Sequence, residues 1–284
     1  MNFPRHWAKA AADKFECWRW SDVSAADARA QAETAVRAIA ERARLSGRPT
    51  DRYGYPDRPL REEVLREFRN GAGELTAAIT RNAPGCQVLN TARAMFVDVD
   101  FEENPFRASS SFDLFGALKR LFAPAAPKKE TNVLDRVMAA ARVWNGAHRG
   151  WGWRVYRTKA GVRLLATHDV FEPDSPLTAQ VFEALGADPL YRRLCAAQKS
   201  FRARLTPKPW RCGMEPLRVR WPWASQKHEA RFAEWERKYA GTTQNFATCA
   251  FVEGLGNAEV HPEIQRLVEV HDQMTRIDQP KELA

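Results

Sequence analysis

Ala94-Met95-Phe96-Val97-Asp98-Val99-Asp100-Phe101 is the stretch on which the fold turns. Apolar residues run straight into two carboxylates spaced by two, which is the period of a β-strand. Alternation sends Asp98 and Asp100 to one face and Val97, Val99 and Phe101 to the other. Two acids on one strand face repel each other, and a divalent cation relieves that cost. Hard oxygen ligands suit Mg²⁺ or Mn²⁺, ions that also hold phosphates. The competing reading is a strand end carrying two solvated acids.

Downstream, 112–122 reads as a short helix, followed by a Pro/Lys linker at 123–130. The segment 131–147 is a helix by the recurrence of Val133, Leu134, Val137, Met138, Ala141 and Trp144. Strands are expected at 153–158 and 162–168, joined by Lys159-Ala160-Gly161 as a hairpin. Helices follow at 176–185 and 189–199, then a strand at 201–206. In order, 94–206 reads β–α–β–β–α–β, the split βαβ or ferredoxin-like arrangement. The sequence-level expectation is that its first and third strands lie side by side and parallel. Their C-terminal ends, carrying Asp98, Asp100 and His168, would then converge.

Upstream, 25–43 is helical, with Ala28, Ala32, Val36, Ile39 and Ala43 on one stripe and Ser24 as N-cap. A turn-rich link leads to a second expected helix at 59–80, with Val64, Leu65 and Phe68 as its apolar face. Beyond 206 the chain is basic and aromatic, with helices expected at 226–239 and 262–276 around an apolar segment at 246–252. Three regions result: a helical N-terminal lobe at 1–90, an α+β palm at 91–211, and a basic aromatic extension at 212–284 packed on the palm.

The 284 residues carry 44 Lys and Arg against 35 Asp and Glu, a net charge of +9 that favours anionic partners. Ten basic against four acidic residues fall within 201–240. Arg202 and Arg204 alternate with Phe201, Ala203 and Leu205, so both project from one strand face, and Lys208 and Arg211 extend the positive surface. Guanidinium forks suit phosphate. Trp210, Trp221 and Trp223 interleave with Arg211, Arg218 and Arg220, a mixture suited to base stacking beside phosphate neutralisation. The alternative is an edge strand kept soluble by arginine, with tryptophans in the core. Asp169 and Asp188 are further candidate acids, and Asp188 is also placed to cap the helix after it. Five scattered cysteines form no C-x-x-C pair and read as reduced thiols. The first residues lack a signal-peptide core and no apolar run is long enough to span a bilayer, so a cytoplasmic protein is expected.

These residues together resemble the catalytic core of the archaeo-eukaryotic primase superfamily, the primase–polymerases. The acidic h-D-h-D motif on the family's first strand is similar to Phe96-Val97-Asp98-Val99-Asp100. The small-x-His motif resembles Ala166-Thr167-His168, and the third acid with its basic segment resembles Asp188 with Arg202, Arg204 and Lys208. Many members have a Gly-rich stretch running directly into the histidine, and on that spacing Arg163 would stand in its place. The resemblance implies an RRM-like palm and metal-dependent nucleotidyl transfer onto a nucleic acid. Asp98, Asp100 and Asp188 would hold the metal, His168 would join the catalytic set, and Arg163, Arg202, Arg204, Lys208 and Arg211 would bind substrate phosphates. Two alternatives stay open: a DxD glycosyltransferase using a nucleotide-sugar, and a non-catalytic RRM-like nucleic-acid-binding protein.

Overall fold

The computed structural model describes residues 1–46, 59–101 and 129–284. The helix and linker expected between 112 and 130 lie almost wholly outside the described residues, as does the link before residue 59. Among the described residues the chain forms an α+β structure of twelve strands and six α-helices, with a 3₁₀ turn at Pro209–Cys212.

The acidic stretch is strand β6 (Phe96–Asp100), and β7 (Gly152–Thr158) and β8 (Gly161–Ala166) form the expected hairpin. Helix α2 (Lys129–Ala147) lies between β6 and β7 in the chain. With β11 (Cys249–Gly256) these strands make a four-stranded sheet in the order β11-β7-β8-β6. Every pairing in it is antiparallel, including β6 with β8. The parallel neighbours expected from the sequence are therefore replaced by antiparallel ones. The cause is plain: a tight hairpin must reverse β8 relative to β7, while β6 and β7, one strand apart, run the same way.

Both faces of this sheet are covered. Val97, Val99, Val155, Val162 and Leu164 join Val137, Ala141 and Trp144 of α2 in the core, and the Trp153 indole donates to Asn145 Oδ1 at 2.9 Å. On the other face, helix α6 (Pro262–Thr275) presents Ile264, Leu267, Val268 and His271, whose ring lies 5.3 Å from that of Phe96.

The N-terminal region is not a helical lobe. It holds a hairpin, β1 (His6–Ala12) with β2 (Phe15–Ser21), and one helix, α1 (Ala25–Ser46). Ala28, Ala32 and Val36 of α1 are buried as expected, and the Ser24 hydroxyl accepts from Asp27 N at 3.1 Å. The expected helix at 59–80 is instead the hairpin β3 (Glu63–Arg69) and β4 (Leu75–Arg81). Asn70 breaks the run: its Oδ1 accepts from Ala72 N and Glu74 N at 3.1 and 2.9 Å, and Gly73 supplies φ +81. Phe68 is buried, whereas Val64 and Leu65 stay exposed. With β5 (Gln87–Thr91) and β9 (Phe201–Arg204), these strands form a second sheet in the order β3-β4-β5-β9.

Strand β9 pairs with β5, not with a strand of the first sheet. Helix α4 (Pro189–Gln198), which follows α3 (Pro176–Ala184), is wedged at the seam. The Tyr191 hydroxyl donates to Phe96 O at 3.0 Å and accepts from Arg202 N at 3.3 Å. Asp188 N donates to Asp98 O at 3.1 Å. A phenol and a helix start thus occupy the outward carbonyls of β6 where a ladder would otherwise run. Helix α5 (Gln226–Thr243) carries a smaller cluster of Phe232, Trp235 and Tyr239, against which Trp223 packs. The C-terminal region also contributes β11 to the first sheet, and β10 (Phe246–Ala247) with β12 (Glu282–Leu283).

Candidate functional site

Register decides which side chains meet. Asp98 lies directly opposite Arg163, and Asp100 opposite Gly161. Arg163 Nε donates to Asp98 Oδ1 at 2.7 Å and Nη2 to Oδ2 at 3.0 Å, a bidentate fork. The Asp98 side chain keeps 32% of its surface. Arg163 itself is 2% exposed, and its Nη1 donates to Arg204 O at 2.9 Å. Burial draws the Arg163 pKa down, but the Asp98 carboxylate outweighs it and the net shift is upward. Arg163 is therefore an internal ion-pair partner, not the substrate-binding residue expected from the sequence.

Asp100 ends the strand and is exposed. Its approach depends on Gly161: a Cβ there would stand 2.2 Å from Val99 O and 3.1 Å from Asp100 Cα. Gly161→Ala is expected to cost about 2 kcal/mol by overpacking against backbone. A urea titration checks this; an unchanged midpoint would mean that β6 and β8 are less tightly apposed than they stand here.

His168 does not join the acids. It lies five residues beyond Arg163, up to about 17 Å along an antiparallel neighbour, at the opposite end of β6. Its Nδ1 accepts from Gly152 N at 3.2 Å, and its ring sits 4.5 Å from Trp151 and 5.4 Å from Phe171. Burial lowers its pKa. The imidazole is a boundary residue of an aromatic cluster, apart from the acids it is expected to join.

Asp188 does come to the acidic strand, but through its backbone. Its Oδ1 accepts from Tyr191 N at 2.8 Å, the N-cap of α4. Arg202 is likewise committed inward: Nη2 donates to both oxygens of Glu62 at 2.9 and 3.0 Å. Glu62 is 7% exposed and also accepts from Thr80 Oγ1 at 2.6 Å. Arg202 is thus a structural residue of the second sheet, contrary to expectation.

The remaining basic residues do cluster. Arg204 has its pKa lowered by burial and then by Arg163. For Lys208 the causes are burial, then Arg204 and Arg211, with Asp100 acting in the opposite sense. Arg204 and Lys208 thus each feel neighbouring positive charge, and Asp100 acts on Lys208 in the opposite sense. Lys208 Nζ lies 5.5 Å from the ring centre of Trp210, which is 52% exposed. Arg218 and Arg220 are also exposed, whereas the Trp223 ring lies 4.7 Å from that of Phe232, tilted by 32°, beside the small core.

Sequence reasoning missed His271 and Asp272. His271 Nε2 lies 3.4 Å from Arg163 Nη1, and its Nδ1 lies 2.9 Å from Asp272 Oδ1. The signal was available: His271 falls on the stripe Ile264, Leu267, Val268, Thr275 that buries α6. Burial lowers the His271 pKa from the ordinary 6.5, and Arg163 adds to this. The unfolded chain then takes up a proton below about pH 6.5 that the folded chain resists. Stability from this source is whole above that pH and falls below it, by up to about 1.4 kcal/mol per pH unit. Melting temperatures between pH 7.5 and 5 check this; no decline would contradict a neutral buried imidazole.

All five cysteines are unpaired and buried, and burial pushes the Cys195 thiol up to about 12, which leaves it protonated. Among the described residues, no three His, Cys, Asp or Glu side chains come together as a ligand set. No helix among them is long and apolar enough to cross a membrane. Comparison with family models, curated proteins and solved structures gives no match for this chain.

Proposed function

We propose that the chain is a metal-dependent nucleotidyltransferase of primase–polymerase type, working on nucleoside triphosphates and a nucleic acid at the seam between β6 and β9. We read β6–α2–β7 with β8 between them as the split βαβ half of an RRM-like palm whose fourth strand has been displaced by Tyr191. The observation that carries the reading is the pair of carboxylates on one face of β6, tied through Arg163 to Arg204 O at 2.9 Å and so set beside the basic segment that continues to Lys208 and Arg211. An acidic pair beside a basic segment suits a polyanion that arrives with a divalent ion.

The donors fit one hard cation, Mg²⁺ or Mn²⁺, completed by phosphate oxygens. Asp98 would offer the oxygen edges turned away from Arg163, and Asp100 its exposed carboxylate. Asp188, whose Oδ1 caps α4, does not join them as a third ligand among the described residues. Such an ion, when bound, neutralises charge on the phosphates and polarises the P–O bond under attack. The chain's own residues do the rest. Arg204, Lys208 and Arg211 hold the triphosphate and the departing pyrophosphate, while a nucleic-acid or nucleotide hydroxyl oxygen bonds to the α-phosphorus, the bond from that phosphorus to the bridging α–β oxygen breaks, and the hydroxyl proton passes to solvent. Trp210 offers a face for a base, and Arg218 and Arg220 offer backbone contacts.

The test is Mn²⁺-dependent binding and incorporation of nucleoside triphosphates by the full chain. Asp98→Asn with Asp100→Asn is expected to remove the metal-dependent incorporation, and Lys208→Ala to weaken nucleotide binding by roughly tenfold or more. Incorporation at the wild-type rate by the double variant would end the assignment.

One observation favours a second reading, non-catalytic nucleic-acid binding: the Arg163 fork already neutralises Asp98. Metal-independent capture of single strands, unchanged by Asp98→Asn, would select it. The glycosyltransferase alternative expects alternating β and α units before the acidic strand. The antiparallel hairpins found there lend it no support.

A further inference from the structure

We infer that His271 and Asp272 are positioning residues for Asp98, acting through Arg163; this rests on the reading of Asp98 as the carboxylate that faces the ligand. An unbroken chain of directed hydrogen bonds runs through the core. Tyr156 Oη donates to Asp272 Oδ1 at 2.8 Å, and Arg154 Nη2 to Asp272 Oδ2 at 2.5 Å. His271 Nδ1 meets Asp272 Oδ1 at 2.9 Å, and Arg163 Nη1 meets His271 Nε2 at 3.4 Å. The Arg163 fork then closes on Asp98 at 2.7 and 3.0 Å.

Chemistry fixes the direction of every link. A guanidinium has no acceptor, so His271 Nε2 must accept from Arg163 and the ring proton must sit on Nδ1, donated to Asp272. His271 and Tyr156 are fully buried, and the Asp272 side chain keeps 14% of its surface. A core histidine needs only its own nitrogens satisfied. Here the same ring also aims a charged side chain at a carboxylate on another strand. Arg163 is anchored at Nη1 by Arg204 O at 2.9 Å and His271 Nε2 at 3.4 Å, with Cys249 Sγ farther off at 3.8 Å, and that anchoring sets the angle of its fork. Without the imidazole, Arg163 would keep Asp98 as a partner but lose the support that sets which oxygen edge is presented outward.

The test compares His271→Leu, which removes the acceptor, with His271→Gln, whose amide oxygen can replace it. Two readouts are taken on the full chain. One is the Arg163 Nε–H resonance, assigned by its loss in Arg163→Lys. The other is Mn²⁺ affinity, followed by the electron paramagnetic resonance of the free ion, with and without a nucleoside triphosphate. His271→Leu is expected to shift or exchange-broaden the resonance and weaken Mn²⁺ binding about tenfold, the scale of one charge-assisted hydrogen bond. His271→Gln is expected to retain the resonance and to bind Mn²⁺ within about threefold of wild type, well inside the effect of that bond, even where both variants melt lower. An Arg163 resonance unmoved in His271→Leu overturns the inference whatever the metal data show. A moved resonance with undiminished Mn²⁺ affinity overturns it as well. Wild-type protein that binds no Mn²⁺ counts against the site reading, and the resonance then decides the positioning role alone.

Discussion

Arg163→Met is expected to lower the unfolding free energy by about 3 kcal/mol, the low end of the range for breaking a buried ion pair. The low end applies because Asp98 keeps 32% of its side-chain surface and water can solvate part of the orphaned charge. The loss is still large. Arg163 also serves Arg204 O, which ties the first sheet to the second, and His271 Nε2, which ties it to α6. For a chain of this size the melting temperature should fall by roughly 6–12 °C. Arg163→Met with Asp98→Leu should recover much of that, because the uncompensated carboxylate goes with its partner. Thermal unfolding of the two variants measures both quantities. A single variant within 1 °C of wild type would show that the fork contributes nothing to the seam.

Glu62→Ala is expected to be as costly, about 3–5 kcal/mol. Glu62 gives both oxygens to Arg202 Nη2 and one of them to the Thr80 hydroxyl, while Asn90 Nδ2 donates to that same hydroxyl at 2.8 Å. Arg202 Nη1 and Asn90 Oδ1 are already buried without partners. Removing Glu62 leaves a second guanidinium nitrogen unpaired as well, with a hydroxyl that has lost its acceptor. The double variant Glu62→Leu, Arg202→Met should lose less than the two single changes together, since apolar side chains of similar volume leave nothing unpaired. Urea unfolding of the cycle gives the coupling. If Glu62→Ala unfolded like wild type yet lost nucleotide binding, Arg202 would be a ligand residue after all.

Local pattern carried the reading of β6, β7, β8, α2, α3 and α4, because each has one period and clear stops. It failed at 59–80, where Val64, Leu65 and Phe68 suit a helix face as well as a strand. There Asn70-Gly71 and Gly73 held the decisive information, as turn residues inside an otherwise helical spacing. The acids were legible in the same way, since alternation alone puts Asp98 and Asp100 on one face. Their partner was not. Arg163 meets Asp98 through register across 65 residues of chain, and register is set by the hairpin that reverses β8. The same reversal sends His168 to the far end. Arg202 and Arg204 look equivalent in sequence, yet one is claimed by Glu62 from 140 residues away and the other stands among cations. No property of the FRAR segment distinguishes them.

Tyr191 and the start of α4 also bear on how copies of this chain meet in a crowded cell. A strand from a second molecule could lengthen the first sheet beside β6 only by evicting a phenol and an amide from their carbonyls. At the opposite margin β11 is bulged between Phe251 and Glu253, which spoils the straight ladder that self-templating needs. On the second sheet β3 carries Arg66, Glu67 and Arg69 with two irregularities in its own pairing, a margin too charged and uneven to recruit a neighbour. Sheet growth into fibrillar aggregates is therefore obstructed at each of these three margins.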